Sequence, residues 1–385
     1  MKGIYSSINK KHRKNRILRA AYWTVRNAAV STANAFWYLY EIPGSLFDES
    51  VRIRFAGNWW PGAANPKVDW LGIFGVLDGQ RQKYRVVKSY APAIEIFSTY
   101  SDRKILENSK AKCKIFYTGE NVHSACDRSF YAQYADNCVN DVDLSLGFDN
   151  ISAENYIRYP NWAPRFFPLN SSKDKIKTIL DDFKKKHRKT KFCSLVSSHD
   201  KSGLRTKIYN EISQIAPIDC PGKLLRNDDT LRDIYNNNKN AYLQQYKFNI
   251  CPENTISEGY CTEKIFECLY SGCIPVYNGG SRDPEPGIIN SNIILWYDYF
   301  DEESNRSTFN EIKKLHSDDL RYRSFMEQPF FCDAAVDKIY DMLQRLNNKL
   351  RCVCSPQFLY PTHDMKEPYL RKAVLRQKQR EERIR

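Results

Sequence analysis

The sequence predicts an α/β protein of two similar halves facing a cleft, and three observations carry the prediction. Residues 246–279 read as strand, polar turn, helix and strand: 246–250 is short, aromatic and β-branched, 262–270 carries apolar residues at helical spacing, and 274–277 is a second apolar run. Upstream lies a series of short apolar runs, each followed by a polar turn, the pattern of an open sheet whose loops carry the chemistry. Between the two series, at about 169–190, the composition shifts to a basic stretch, and 385 residues suit two cores better than one.

Taken in order, 51–57 alternates as a strand and ends in Asn58, Trp59, Trp60, Pro61 and Gly62, a loop signal. Further strands are expected at 85–87, 94–97, 113–117, 142–148 and 156–160. A basic helix follows over 173–191, with Ile176, Ile179, Leu180 and Phe183 at helical spacing. The second series opens with a strand at 191–196 and a helix at 204–212, runs through 246–279 and a strand at 292–296, and closes with helices at 311–315 and 335–350. The expected divisions are a basic, amphipathic segment over 1–45, a first domain over 46–170, a connecting helix or linker over 171–190, a second domain over 191–350 and a basic tail over 351–385.

Charge separates the body from its ends. Of the net +14, residues 1–20 supply +7 with no acid, and 366–385 supply +5, so the remainder carries only +2. Basic ends on a near-neutral body fit electrostatic attachment to an anionic membrane surface better than a nucleic-acid groove, and solvated tails remain an alternative. Ile17, Leu18, Ala21, Tyr22 and Val25 followed by an aromatic knot over 36–40 have the look of an interfacial helix. Arg19 and Arg26 interrupt every window long enough to span a bilayer, and 42–45 is not a small-x-small cleavage site. The twelve cysteines show no repeated pairing and are expected as reduced, mostly buried thiols in a cytoplasmic protein, peripheral on the membrane, with a Golgi or secretory membrane as the alternative. Cys352 and Cys354 with His363 lack a second close pair and are not read as a zinc site.

The chemistry concentrates where strand 246–250 gives way to helix 262–270. Glu253, Asn254, Tyr260, Glu263 and Lys264 fall where an α/β sheet places its ligands. Lys264 in the first helical turn adds a point charge to free N–H groups and the positive dipole end, so a diphosphate is attracted by both. Glu263 can accept from ribose or sugar hydroxyls, Tyr260 can stack or hydrogen-bond, and Asn254 offers a donor and an acceptor. Arg205, at the start of helix 204–212, can hold a diphosphate with two parallel donors. Singly, each also fits a solvated helix start.

In the first half, Glu120 follows a strand end and Gly119, well placed for proton abstraction; a turn acid facing water is the alternative. Asn58, Trp59 and Trp60 can form a sugar platform or a packed corner. Asp141 and Asp143 match an Asp-x-Asp metal pattern but lie in an apolar run, and Asp228 with Asp229 is no stronger. No metal is expected, because Arg205, Lys264 and a helix start supply positive charge.

These residues bring the chain to a family. It resembles the α1,3/4-fucosyltransferases of glycosyltransferase family 10, especially the bacterial-type branch. In the second half the resemblance rests on 191–198, Arg205 with Tyr209, and 246–254, 260–264 and 274–279. In the first half it rests on Asn58, Trp59 and Trp60, on 116–121, on 147–149 and on 156–158. The sequence departs from the family at Cys251, Pro252 and 278–280. The resemblance implies a GT-B fold, two Rossmann-like domains, with an acceptor-binding domain first and a GDP-fucose-binding domain second. Arg205 and Lys264 would hold the diphosphate, Glu263 the ribose or fucose hydroxyls, Asn254 and Tyr260 would complete the donor pocket, and Glu120 would be the general base of an inverting, metal-independent transfer. The expected partners are GDP-fucose and an oligosaccharide acceptor, with GlcNAc or Glc as the accepting residue. A transferase using another GDP-sugar, or an inactive relative that binds membrane or nucleic acid through its basic ends, are the competing readings.

Overall fold

The computed structural model describes residues 50–56, 69–88, 92–123, 131–183 and 188–359. Asn58, Trp59 and Trp60, the whole of the 1–45 segment and the C-terminal tail beyond residue 359 therefore lie outside the described residues.

The first half contains β1 (Val51–Phe55), α1 (Ile73–Gly79), β2 (Tyr84–Val86), β3 (Ile94–Ser98), α2 (Arg103–Glu107), β4 (Cys113–Tyr117), β5 (Leu144–Gly147), β6 (Tyr156–Arg158), α3 (Trp162–Phe166) and α4 (Lys173–Asp182). Its six strands form a parallel sheet in the order β2-β1-β3-β4-β5-β6. The second half contains β7 (Lys191–Ser194), α5 (Leu204–Ile212), β8 (Ile218–Asp219), α6 (Thr230–Asp233), α7 (Lys239–Leu243), β9 (Tyr246–Ile250), α8 (Glu263–Tyr270), β10 (Ile274–Tyr277) and β11 (Leu295–Trp296). Its parallel sheet has the order β11-β10-β9-β7-β8. The chain ends in α9 (Glu302–Ser317), α10 (Asp319–Met326), α11 (Ala335–Val353) and α12 (Pro356–Leu359).

Both sheets are doubly wound, and each reverses direction beside its first strand. An open α/β sheet binds ligands at such a reversal, outside the carboxyl ends of the strands. In the first half that place is between the ends of β1 and β3; in the second it is between the ends of β7 and β9. The central strands β3, β5 and β10 are buried on both faces; β10 accordingly reads as a continuous apolar run, whereas β3 and β5 carry buried Glu95 and Ser145, which are hydrogen-bonded to Ser109 and to Asn137 O.

One apolar core runs through both halves. Trp162 on α3 stacks on Phe266 of α8, with ring centroids 4.5 Å apart and planes at 17°. Phe166, Phe183, Tyr270 and Phe331 close around that pair. Beside the cluster, Arg158 at the end of β6 crosses to the second half. Its guanidinium donates to both carboxylate oxygens of buried Glu285, at 2.8 and 2.9 Å, and Trp162 Nε1 donates to Glu285 Oε1 at 2.7 Å. Burial opposes the charge on Arg158, and Glu285 more than restores it. Aromatic packing and a buried bidentate ion pair fix the two halves against each other.

Helix α11, expected to finish the second domain, packs against α1, α4, β5 and β6 of the first half. Its stripe of Ala335, Ile339, Leu343, Leu346, Leu350 and Val353 is buried. Helix α4, expected as a connector, supplies Ile176 and Leu180 to the same layer. Among the described residues no helix is long and apolar enough to cross a membrane.

Candidate active site

The second-half wall is organised by Glu253, just past the end of β9. Its side chain is fully buried and accepts from Thr262 N at 2.8 Å, from Thr262 Oγ1, from Tyr277 Oη at 3.1 Å and from Lys264 Nζ at 3.1 Å. Two consequences follow for α8. The Thr262 hydroxyl is turned to Glu253 instead of capping the helix, so the first-turn N–H groups of α8 have no side-chain cap. Lys264 is held over that helix start by Glu253 and by Thr262 Oγ1 at 2.9 Å. Burial disfavours the Lys264 charge, but Glu253 and Glu263 outweigh it and raise the pKa above the ordinary lysine value. The ammonium stays charged where an anion would meet the helix dipole.

Arg205 enters the same place from α5 and is itself buried. It donates to His199 O at 2.7 Å, Pro252 O at 3.0 Å and Asn254 Oδ1 at 2.7 Å. Pro252 therefore has a local reason: its carbonyl is committed to Arg205, and it has no N–H to satisfy. Burial lowers the Arg205 pKa against the opposing pull of Asp200 and Glu253. Three of its five donors are used, which orients the remaining ones.

Arg205, Asn254, Glu263 and Lys264 line one cavity of about 540 Å³, at the crevice between the ends of β7 and β9. Its walls also include His199, Lys223, Arg226, Arg232 and Lys239, so cations far outnumber the lone Glu263 carboxylate. Glu263 Oε2 is buried without a hydrogen-bond partner. Burial pushes the Glu263 pKa up, but Lys264 and Arg165 reverse the shift and hold it below the usual glutamate value. An ionised, unsatisfied acceptor in a cationic cavity suits hydroxyl donors attached to a phosphorylated ligand. Asn249 on the cavity floor likewise has an amide oxygen without a partner.

Tyr260, expected to complete the donor pocket, sits at the join of the two halves. It does not line this cavity; its ring is buried against Phe148 of the first half, with centroids 4.9 Å apart, within a small core that includes Phe97 and Phe116. Burial and the charges of Glu253 and Glu120 push its phenol far above the normal tyrosine range. Its place is explained by apolar packing across the two halves.

Glu120 stands in the loop after β4, partly exposed. Thr118 Oγ1 accepts from Glu120 N at 3.1 Å and donates to Glu120 O at 3.0 Å, closing the turn. Gly119 needs no positive φ; a Cβ there would sit 3.2 Å from Asn161, so close approach, rather than unusual backbone geometry, favours glycine. Tyr100, from the loop after β3, donates to Glu120 Oε1 at 2.6 Å. The neighbouring Asn121 donates to Thr255 Oγ1 at 3.0 Å, tying this loop to the Glu253 loop. The phenols of Tyr117 and Tyr260 feel both Glu120 and Glu263.

The Asp-x-Asp pattern has structural partners: Asp141 pairs with Arg103 at 2.5 Å, and Asp143 accepts from Lys114 N at 3.0 Å. Asp228 accepts from Thr230 and Tyr242, and Asp229 pairs with Arg226. Among the described residues no cluster of three or more potential ligands could hold a metal ion. Sequence reasoning missed Tyr100, Asn249, Lys223, Arg226 and Lys239, and counted Glu253 as one polar residue among five instead of the hub of the wall.

Two facing doubly wound domains, with a cationic cavity at one crevice and a carboxylate on the opposite wall, define the GT-B architecture of nucleotide-sugar transferases. Family comparison reaches the same class. Residues 184–352 match the C-terminal domain of glycosyltransferase family 10 (fucosyltransferase), and residues 69–164 match the N-terminal domain of the α-(1,3)-fucosyltransferase FucT. The chain is 34% identical over 208 residues to the α-(1,3)-fucosyltransferase FucT of Helicobacter pylori, a match covering 46% of this chain and 40% of that one. It is 29% identical over 143 residues to α-(1,3)-fucosyltransferase B of Drosophila melanogaster, covering 34% and 31%. The chain thus spans less than half the length of these curated relatives. The fold is similar to a crystal structure of an α1,3-fucosyltransferase, with a TM-score of 0.52 and 22% identity, over 79% of this chain and 92% of that one. The chain belongs to glycosyltransferase family 10.

Proposed function

We propose that the protein is an inverting α1,3-fucosyltransferase that transfers L-fucose from GDP-β-L-fucose to the 3-hydroxyl of a GlcNAc or Glc residue in a cell-surface glycan. The observation that carries the reading is the pairing of a cationic, uncapped helix start in the second half with the Glu120 carboxylate across the crevice. The names of the H. pylori and Drosophila relatives favour fucose and the α1,3 linkage.

In this mechanism the diphosphate lies at the start of α8 against Arg205 and Lys264. Glu263 accepts from ribose or fucose hydroxyls, Asn249 accepts from a ligand N–H or O–H, and Asn254 holds Arg205 in place. Glu120 removes the proton of the acceptor 3-hydroxyl as its oxygen attacks the anomeric carbon. The bond from that carbon to the β-phosphate breaks on the opposite face, and its electron pair leaves with GDP. Negative charge grows on the leaving phosphate as the bond lengthens, so Arg205, Lys264 and the α8 dipole matter most in the transition state. These fixed charges take the place of a divalent cation, and transfer is expected to proceed in EDTA. Asn58, Trp59 and Trp60 are assigned to the acceptor. The basic ends are assigned to an anionic membrane surface on the cytoplasmic side, without a role in nucleic-acid binding.

The test is incubation with GDP-fucose and N-acetyllactosamine, with a panel of other GDP-sugars in parallel. Fucosylated product with inverted anomeric configuration supports the reading, and transfer only from another GDP-sugar replaces the donor.

A further inference from the structure

We propose that Tyr100 is a positioning residue for Glu120, holding one oxygen of the carboxylate so that the other is presented to the acceptor hydroxyl. The inference rests on the assignment of Glu120 as the base. Tyr100 follows β3 by two residues, beside the reversal of the first sheet, and Glu120 follows β4 by three, so adjacent strands deliver both side chains to one crevice. The phenol donates to Glu120 Oε1 at 2.6 Å, and among the described residues it is the only side chain that hydrogen-bonds this carboxylate.

Tyr100 is suited to remain a donor. Burial first, and then the Glu120 charge, push its phenol far above the ordinary tyrosine range, so it keeps its proton wherever Glu120 is ionised. Tyr131 packs edge-on against the ring, with centroids 6.1 Å apart, and fixes its direction. The other titratable groups facing the carboxylate are the phenols of Tyr117 on β4 and Tyr260 from the second half; Glu263 and Arg165 act on Tyr117, and Glu253 and Glu263 act on Tyr260. None of these groups hydrogen-bonds Glu120.

A hydrogen bond to a carboxylate stabilises its charged form, so losing the bond raises the carboxyl pKa. With Glu120 as the base, the acid limb of the pH–rate profile then moves to higher pH. The experiment measures kcat/KM for fucose transfer against pH in the full chain for wild type, Tyr100→Phe and Glu120→Gln, with GDP affinity measured by calorimetry. Phenylalanine keeps the ring against Tyr131. The expected result for Tyr100→Phe is GDP affinity within about twofold of wild type, a fall of roughly tenfold in kcat/KM at neutral pH, and an acid limb about one pH unit higher. Replacing Tyr100 with 3-fluorotyrosine, a stronger donor of nearly the same shape, should move the limb the other way.

An acid limb unchanged in both Tyr100 variants, with Glu120→Gln inactive, overturns the positioning role and leaves the base assignment standing. Wild-type transfer by Glu120→Gln overturns the base assignment and the positioning role with it.

Discussion

In the second half, the cleft wall is a closed network: Glu253 joins Thr262, Lys264 and Tyr277, while Arg205 spends three donors on His199, Pro252 and Asn254. The first-half wall is thinner. There Glu120 projects from a loop and is held through a single phenol. In the proposed mechanism the difference follows the charges being handled. A diphosphate needs several cations kept apart from one another yet charged in a buried place, which requires a buried counter-charge; a base that alternates between protonated and free forms needs a partner that orients it without neutralising it.

Breaking Glu253 should have the largest effect. Glu253→Leu leaves Lys264 without its buried counter-charge and Thr262 N without an acceptor, and is expected to cost about 3 kcal/mol of stability in urea unfolding, together with donor affinity. Glu120→Gln should do the opposite. It is expected to lower transfer by about 10²-fold while changing unfolding by less than about 0.5 kcal/mol and leaving GDP binding intact. Equal losses of stability in the two variants would erase the distinction between the walls.

Arg158→Lys keeps a charge opposite Glu285 but loses the bidentate geometry. It should destabilise by about 1–2 kcal/mol and raise the donor KM, because Arg158 also donates to Gly259 O beside the donor loop. The smallest effect concerns pH. The folded pKa of Glu263 lies below its ordinary 4.5, so its contribution to stability is present above about that pH and is lost as pH falls through the folded value. The unfolding free energy of Glu263→Gln should therefore run parallel to wild type from about pH 5 to pH 8 and converge with it in more acidic solution.

Much of the second wall could be read from the sequence because its signals are local. The strands β9 and β10 and helix α5 have the bounds that apolar periodicity alone indicates, and the polar residues before α8 fall at the end of a strand at the sheet reversal, where ligands bind. The features that escaped depend on distant partners. Periodicity shows that 335–350 is an amphipathic helix but not that its apolar stripe lies on the first sheet, because a stripe carries no address. The packing of Tyr260 against Phe148, more than a hundred positions earlier, is likewise invisible in the sequence. Tyr100 and Glu120 are twenty residues apart in the loops after different strands, and only the pairing of β3 with β4 brings them together. Asp141 and Asp143 imitate a metal motif because the ion pair with Arg103 is invisible in the sequence.

In the proposed mechanism this cleft moves fucose from GDP-fucose to a sugar 3-hydroxyl by means of Glu120 and a fixed cationic wall. The direct measurement is product analysis after incubating the full chain with GDP-fucose and N-acetyllactosamine in excess EDTA. An α1,3-fucosylated product with stoichiometric GDP release, abolished by Glu120→Gln, is the expected outcome. Absence of transfer to any β-linked GlcNAc or Glc acceptor, or transfer that persists in Glu120→Gln, would contradict it.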